Sequence, residues 1–321
     1  MAKRFQIVLT VAALAVLFFA GKANADTRKT IEDKLRSEFN SATVLLRGFY
    51  SGSTLQFDAE GNPVGAVNAG YWTADGELLI SDISLDKHNR LHIRARRILK
   101  KFNAQTCNFD DTLTNAIVHI DFEVDPAWQE AAPVRVLLNK VFLRNPSPQQ
   151  MADIAPEYWQ DWFTTKRHPV QKKGVWYCEA EDRQLPPNPA DKSAPDGKIT
   201  AQELGVQNAP VSSSSNSNAR RAFFPAPDRT VKPPKAIESP DPVYPKSARA
   251  AGYQATTLLR IDIDEQGRPT TIQIEQPAGA GLDDAAVEAV RKWKFDPASR
   301  NGQPVAVWVI IEVNFRLYHS R

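Results

Sequence analysis

Only two cysteines and two methionines occur in 321 residues. No CxxC pair, HExxH helix or GxSxG turn is present, which removes the commonest redox, zinc-hydrolase and nucleophilic-serine chemistries. No stripe of Lys and Arg runs through the chain, and its formal charge is only +3. Nucleic acid and anionic membrane surfaces are therefore not expected partners. Long apolar runs are equally scarce. The single one, Ile7 to Ala20, has 14 residues, against the roughly 20 that a spanning helix needs.

What stands around that run gives it a meaning. Lys3 and Arg4 precede it and Ala23-Asn24-Ala25 follows, the layout of a secretory signal peptide with small residues at the cleavage positions. Residues 1–25 are read as a cleaved signal, with an uncleaved anchor as the open alternative. Cleavage removes Lys3, Arg4 and Lys22 and no acidic residue, taking the charge from +3 to zero. Export also permits disulfides, so Cys107 and Cys178 are expected to pair, closing a loop worth roughly 4 kcal/mol of unfolded-chain entropy. Two buried free thiols are the other reading.

Residues 26–183 read as a mixed α+β, β-rich domain of unknown role. Ile31, Leu35 and Phe39 recur at helical spacing. Gly48–Phe57, Gly70–Leu85 and Leu91–Leu99 have strand composition, the last two joined by the turn residues Asp86 to Asn89. From Ala116 to Val124 the alternation is strict, placing Ala116, Val118, Ile120, Phe122 and Val124 on one face and Ile117, His119, Asp121 and Glu123 on the other. Ser147-Pro148 starts a helix, and Tyr158, Trp159, Trp162 and Phe163 form an aromatic group suited to core packing. Gly174 to Ala180 gives a single closing strand. Twelve of the 23 prolines then fall between Gln184 and Pro245, beside the polar run Ser212 to Asn218. Residues 184–241 are read as an extended linker separating two bodies.

Residues 242–321 predict a small α+β module, a three-stranded antiparallel sheet with two helices. A short helix, Ser247 to Ala251, stops at Gly252. Leu259, Ile261 and Ile263 form one strand of a hairpin and Ile272 and Ile274 the other, around Asp264-Glu265-Gln266-Gly267. A helix follows from Leu282 to Trp293, with Leu282, Ala285, Ala286, Ala289, Val290 and Trp293 on one face. Asp283 and Asp284 occupy its first turn, where the dipole favours them. The last strand, Val305 to Leu317, is apolar on both faces, since Ala306, Trp308 and Ile310 alternate with its inward valines. A partner strand or the chain's own linker must cover that surface or edge.

Tyr244-Pro245 with Ala248-Arg249 and Gly252, the turn Asp264 to Gly267, Gly281-Leu282-Asp283 with Ala285-Ala286 and Ala289-Val290-Arg291, and Trp293 to Ala298 followed by Gly302-Gln303-Pro304-Val305 occur in order. In this string, residues from about 236 to 321 resemble the C-terminal domain of the TonB family, periplasmic energy transducers that engage outer-membrane transporters. Ala255 departs from the second glycine many relatives carry. The resemblance implies periplasmic location and capture of an extended transporter segment by β-augmentation. The implied contacts are Tyr244, Pro245, Val307, Trp308, Val309 and Ile310; a packed aromatic is the competing reading of Tyr244. It also implies TonB-dependent outer-membrane transporters as partners, with inner-membrane ExbB and ExbD proteins reached through an N-terminal helix carrying a histidine. No histidine lies between Met1 and Asn24. A homodimer or scaffold using the same strand edge without energy input, and an enzyme in residues 26–183, are the rival readings.

No cofactor is expected. His92, His119, Asp121 and Glu123 are ligand types that a solvated strand face explains equally well. Asp196 to Glu203 copies half of an EF-hand loop, but its early ligand positions fall on Lys192 and Ala194. Gly279-Ala280-Gly281 looks like a phosphate loop but opens onto Asp283 and Asp284.

Overall fold

The computed structural model describes residues 25–181 and 231–317, and the backbone of 222–223. The signal segment up to Asn24, the EF-hand-like stretch and most of the linker lie outside the described residues. The chain forms two compact units.

The first unit comprises residues up to Gly70, Asp75–Ile98 and Leu113–Asn145. Helix α1 (25–39) buries Ile31, Leu35 and Phe39, the three residues at helical spacing. A six-stranded sheet follows, made of β1 (Thr43–Leu46), β2 (Thr54–Phe57), β3 (Glu77–Leu85), β4 (Arg90–Asn103), β5 (Asn108–Glu123) and β6 (Phe142–Leu143), in the order β2-β5-β4-β3-β1-β6. Val118, Ile120, Phe122 and Val124 are buried on one face, whereas Ala116 is exposed, so the alternation begins to bury side chains two residues later than its pattern suggests. Helix α2 (Ala131–Val141) covers that face with Val134, Leu137 and Leu138. The expected strand Gly70–Leu85 starts only at Glu77, because Trp72–Gly76 winds into one π-helical turn.

The second unit takes in Tyr71–Ala74, Leu99–Thr112 and the chain from Pro146 onward. Residues 146–181, expected to belong with the N-terminal domain, group instead with the C-terminal module. Ser147 caps α3 (Pro148–Ile154) through a reciprocal bond with Gln150, and α4 (Glu157–Thr164) follows. The expected single strand at Gly174–Ala180 is half of a hairpin, β7 (Arg167–Lys172) with β8 (Val175–Ala180). Trp159 is fully buried, with Trp72 and Phe163 packed against it and Phe109 beyond at 6.3 Å. Cys107 and Cys178 are joined in a disulfide with a Cα–Cα distance of 5.6 Å.

The C-terminal part of this unit begins before the expected boundary at 242. Strand β9 is the two-residue Ala222–Phe223, and β10 (Lys235–Glu238) pairs with β13 (Lys294–Asp296). Val231 is buried, and the Trp293 indole N–H donates to the Pro240 carbonyl at 3.1 Å. The last part of the expected linker is thus folded against the module. Helix α5 (Lys246–Ala250), β11 (Ala255–Ile263), β12 (Pro269–Gln276), α6 (Leu282–Val290) and β14 (Val307–Phe315) complete it. The antiparallel sheet has the order β9-β14-β11-β12, four strands where three were expected, because β9 is added at the edge.

Candidate functional site: the edge of the last strand

Strand β14 pairs along its whole length with β11, from Val307 opposite Ile263 to Phe315 opposite Ala255. Leu259, Ile261 and Ile263 on β11 and Val307, Val309 and Ile311 on β14 are buried together, which fixes the register, because a slip of one residue would put one strand's three on the face opposite the other three. The opposite face carries Trp308 and Ile310, and both are buried too, at 1% and 8% exposure. All four strand residues singled out from the sequence, Val307, Trp308, Val309 and Ile310, are therefore covered side chains. What they can offer a partner is backbone, through the N–H and C=O groups along the outer edge. That edge has a strand on it: Ala222 lies opposite Ile311 and Phe223 opposite Ile310.

The Tyr-Pro segment lies by the other end of the same strand. The Tyr244 ring meets Phe315 edge-on, with centroids 5.4 Å apart, and its hydroxyl donates to the Tyr253 carbonyl. Arg249 stacks over that ring at 5.2 Å. Pro245 is buried and stands at the N-cap of α5. Burial raises the Tyr244 phenol above its ordinary pKa, so it stays a neutral donor. These contacts brace α5 against β14 and Tyr253, and they leave Val243 beside them 80% exposed.

A second feature was missed in the sequence. Asp283 and Asp284 stand in the first turn of α6 as expected, but both are buried, which the sequence reading did not anticipate. Asp283 accepts from the Ala278 and Gly279 amides, each at 2.7 Å. One Asp284 oxygen, Oδ1, accepts from the Tyr158 hydroxyl at 2.9 Å and the Trp159 indole at 3.1 Å, while its Oδ2 is buried without a hydrogen-bond partner. Burial pushes Asp283 up to about 6. Burial, joined by the neighbouring Asp283 charge, pushes Asp284 up to about 7.

The Gly279-Ala280-Gly281 loop has a structural explanation. Ala280 N donates to Lys100 O at 2.7 Å and Phe102 N to Ala278 O at 3.0 Å. A Cβ on Gly279 would lie 2.3 Å from Lys100 O, and one on Gly281 2.6 Å from the Tyr71 ring. Glycine is required where two backbones come this close. As a result α6 is buried almost all round: the sheet takes one side, and Leu282, Val287 and Asp284 are buried as well. A one-sided amphipathic helix had been expected.

The weighed metal ligands are ordinary polar groups of the first unit. His92 Nδ1 lies 2.7 Å from Asp121 and Nε2 3.4 Å from Asp86, and the Asp121 hydrogen bond raises the His92 pKa. His119 is exposed and Glu123 faces Arg90 at 3.6 Å. Among the described residues no group of three His, Cys, Asp or Glu is placed to hold a metal ion. No helix of the described residues is long and apolar enough to cross a membrane.

Comparison with known proteins bears on this strand and its surroundings. Residues 240–317 match the family described as Gram-negative bacterial TonB protein C-terminal. The chain is 38% identical over 82 residues to protein tonB2 of Pseudomonas aeruginosa, covering 25% of this chain and 30% of that protein. It is 42% identical over 77 residues to protein TonB of Xanthomonas campestris pv. campestris, 24% of this chain and 34% of that one. The chain thus spans about a third of the length of these curated relatives. A solution NMR structure of the Pseudomonas aeruginosa TonB CTD is 26% identical, covering 30% of this chain and 94% of that one, with a TM-score of 0.24. Tyr244-Pro245, the Gly281-Leu282-Asp283 loop and β14 all fall inside the matched stretch, so residues 240–317 are a C-terminal domain of the TonB family.

Proposed function

We propose that this protein works by binding in the periplasm, and that the edge of β14 captures extended segments of TonB-dependent outer-membrane transporters by β-augmentation. The observation that carries the reading is the pairing of Ala222–Phe223 with Ile310 and Ile311: an antiparallel segment already fits this edge. With Val307 to Ile311 buried on both faces, affinity comes from main-chain hydrogen bonds, and β14 side chains contribute by keeping the strand rigid. Tyr244 and Pro245 act by holding α5 against the end of that strand, and Val243 is the exposed apolar residue of the segment. Coupling to ExbB and ExbD, and hence to an energy source, belongs to the family role and would have to run through residues outside the matched stretch.

Amide hydrogen exchange on the full chain tests this, with and without synthetic peptides copying extended periplasmic segments of such transporters. Slowed exchange concentrated at residues 307–315 is expected. Protection that appears elsewhere, or none at saturating peptide, removes β14 as the capture site.

A further inference from the structure

The segment on the β14 edge belongs to the chain itself, and its sequence is unlike its surroundings. From Gln184 to Pro245 the chain is rich in proline and polar residues, and Ser212 to Asn218 is wholly Ser and Asn. Ala222-Phe223-Phe224 interrupts that composition with three apolar residues, preceded by Arg220-Arg221 and closed by Pro225. Two of the three form β9, in antiparallel register with β14. A proline at 225 cannot donate to a ladder, so it limits the run to a few pairs. The outer edge of a strand with five consecutive buried apolar residues is a template on which another strand can pair.

We infer that Ala222–Phe223 is a built-in cap of the β14 edge: it occupies Ile310 and Ile311 in the resting protein and must leave before another strand can pair there. The cap stands whether or not the incoming strand comes from a transporter; its role as a competitor of transporter segments rests on the function proposed above. Two ladder positions are fewer than β14 offers along its nine residues. The cap suffices to blunt the edge against other copies of the chain and yields to a longer ligand strand. Apparent affinity for that ligand is its intrinsic affinity scaled by the fraction of molecules with the edge open.

Phe223→Pro in the full chain disrupts the pairing opposite Ile310 without touching the sheet core. Three readings are taken on wild type and variant: amide exchange at Ile310 and Ile311, binding of a synthetic peptide copying residues 219–226, and binding of transporter-segment peptides. Ala222→Pro repeats the series at the neighbouring position, and an unchanged far-ultraviolet spectrum checks that each variant is folded. The cap predicts faster exchange in both variants at whichever of the adjacent Ile310 and Ile311 amides faces β9, the other being bonded to β11, and binding of the 219–226 peptide about tenfold tighter than to wild type. Unchanged exchange together with equal peptide affinity overturns it. Transporter peptides that tighten in parallel support competition for the edge. If they bind neither protein while the 219–226 peptide still discriminates, the cap stands and the transporter reading falls.

Discussion

At the scale of single residues, the least expected chemistry lies in the pair Asp283 and Asp284. An acidic first turn normally serves the helix dipole from solvent, and a sequence carries no mark that separates an exposed aspartate from one buried by residues 120 positions earlier. Here the Tyr158 hydroxyl and Trp159 indole supply two donors to one oxygen, and the other oxygen is buried without a partner. A protonated carboxyl tolerates that arrangement better than a carboxylate. Folding therefore takes up protons: Asp283 at about 6 and Asp284 at about 7 both lie above their unfolded values near 4. Stability from this pair is fully present below pH about 4 and is lost as the pH rises through about 7. The groups facing Asp284 are Asp283, Tyr158 and Trp159, with Arg291 over the Tyr158 ring at 5.5 Å. Asp284→Asn keeps an acceptor for both donors and removes the charge. Urea denaturation of the second unit is expected to show wild type weaker at pH 8 than at pH 5, by on the order of 2 kcal/mol. The variant should flatten that difference and be the more stable protein at pH 8. A variant that keeps the full pH dependence would place the titration elsewhere.

Among the elements, those whose burial is local were the legible ones. Ile31, Leu35 and Phe39 announce α1, the Ser147 cap announces α3, and Gly252 with φ +60° stops α5. Less legible were elements whose partners are remote in sequence. Helix α6 reads as one-sided because Asp284 meets Tyr158 and Trp159, residues that no local pattern connects to it. Strand β9 was invisible for the same reason, since two apolar residues in a Pro-rich stretch carry no period. At the candidate site the final strand was legible, and of the two covers weighed for it the chain's own linker supplies a strand opposite Ile310 and Ile311; Tyr244 is packed, as its competing reading had it. Tyr244→Phe tests that packing. Losing the bond to the Tyr253 carbonyl is expected to cost about 1 kcal/mol, read as a lower midpoint in urea. Affinity for edge-binding peptides should stay within about twofold, because the ring still seats on Phe315. A large affinity loss with unchanged stability would instead make the hydroxyl a ligand contact.

For the molecule as a whole, the stretch shared with TonB relatives and the unit that folds are different objects. The match covers residues 240–317, but the compact unit adds Tyr71–Ala74, Leu99–Thr112 and 146–181. Those additions bury the outer side of α6 and receive the Gly279–Gly281 loop, while the disulfide between Cys107 and Cys178 ties two of the added segments together. Cutting the chain at 240 would leave Asp284 without both donors and the Gly281 amide without the Thr73 hydroxyl. It would also remove β10 from β13. Losing each such buried bond costs about 1 kcal/mol or more, on a fold whose total stability is of order 5–15 kcal/mol. Residues 240–321 alone should therefore unfold at a clearly lower urea concentration than the second unit does in the full chain, followed through amide hydrogen exchange at residues 255–315 in increasing urea. Adding back residues 231–239 should recover only the part due to β10 and Val231. Equal midpoints for the fragment and the full chain would mean that the matched stretch is self-sufficient and that the contacts of α6 with residues 71–74 and 158–159 contribute nothing to its stability.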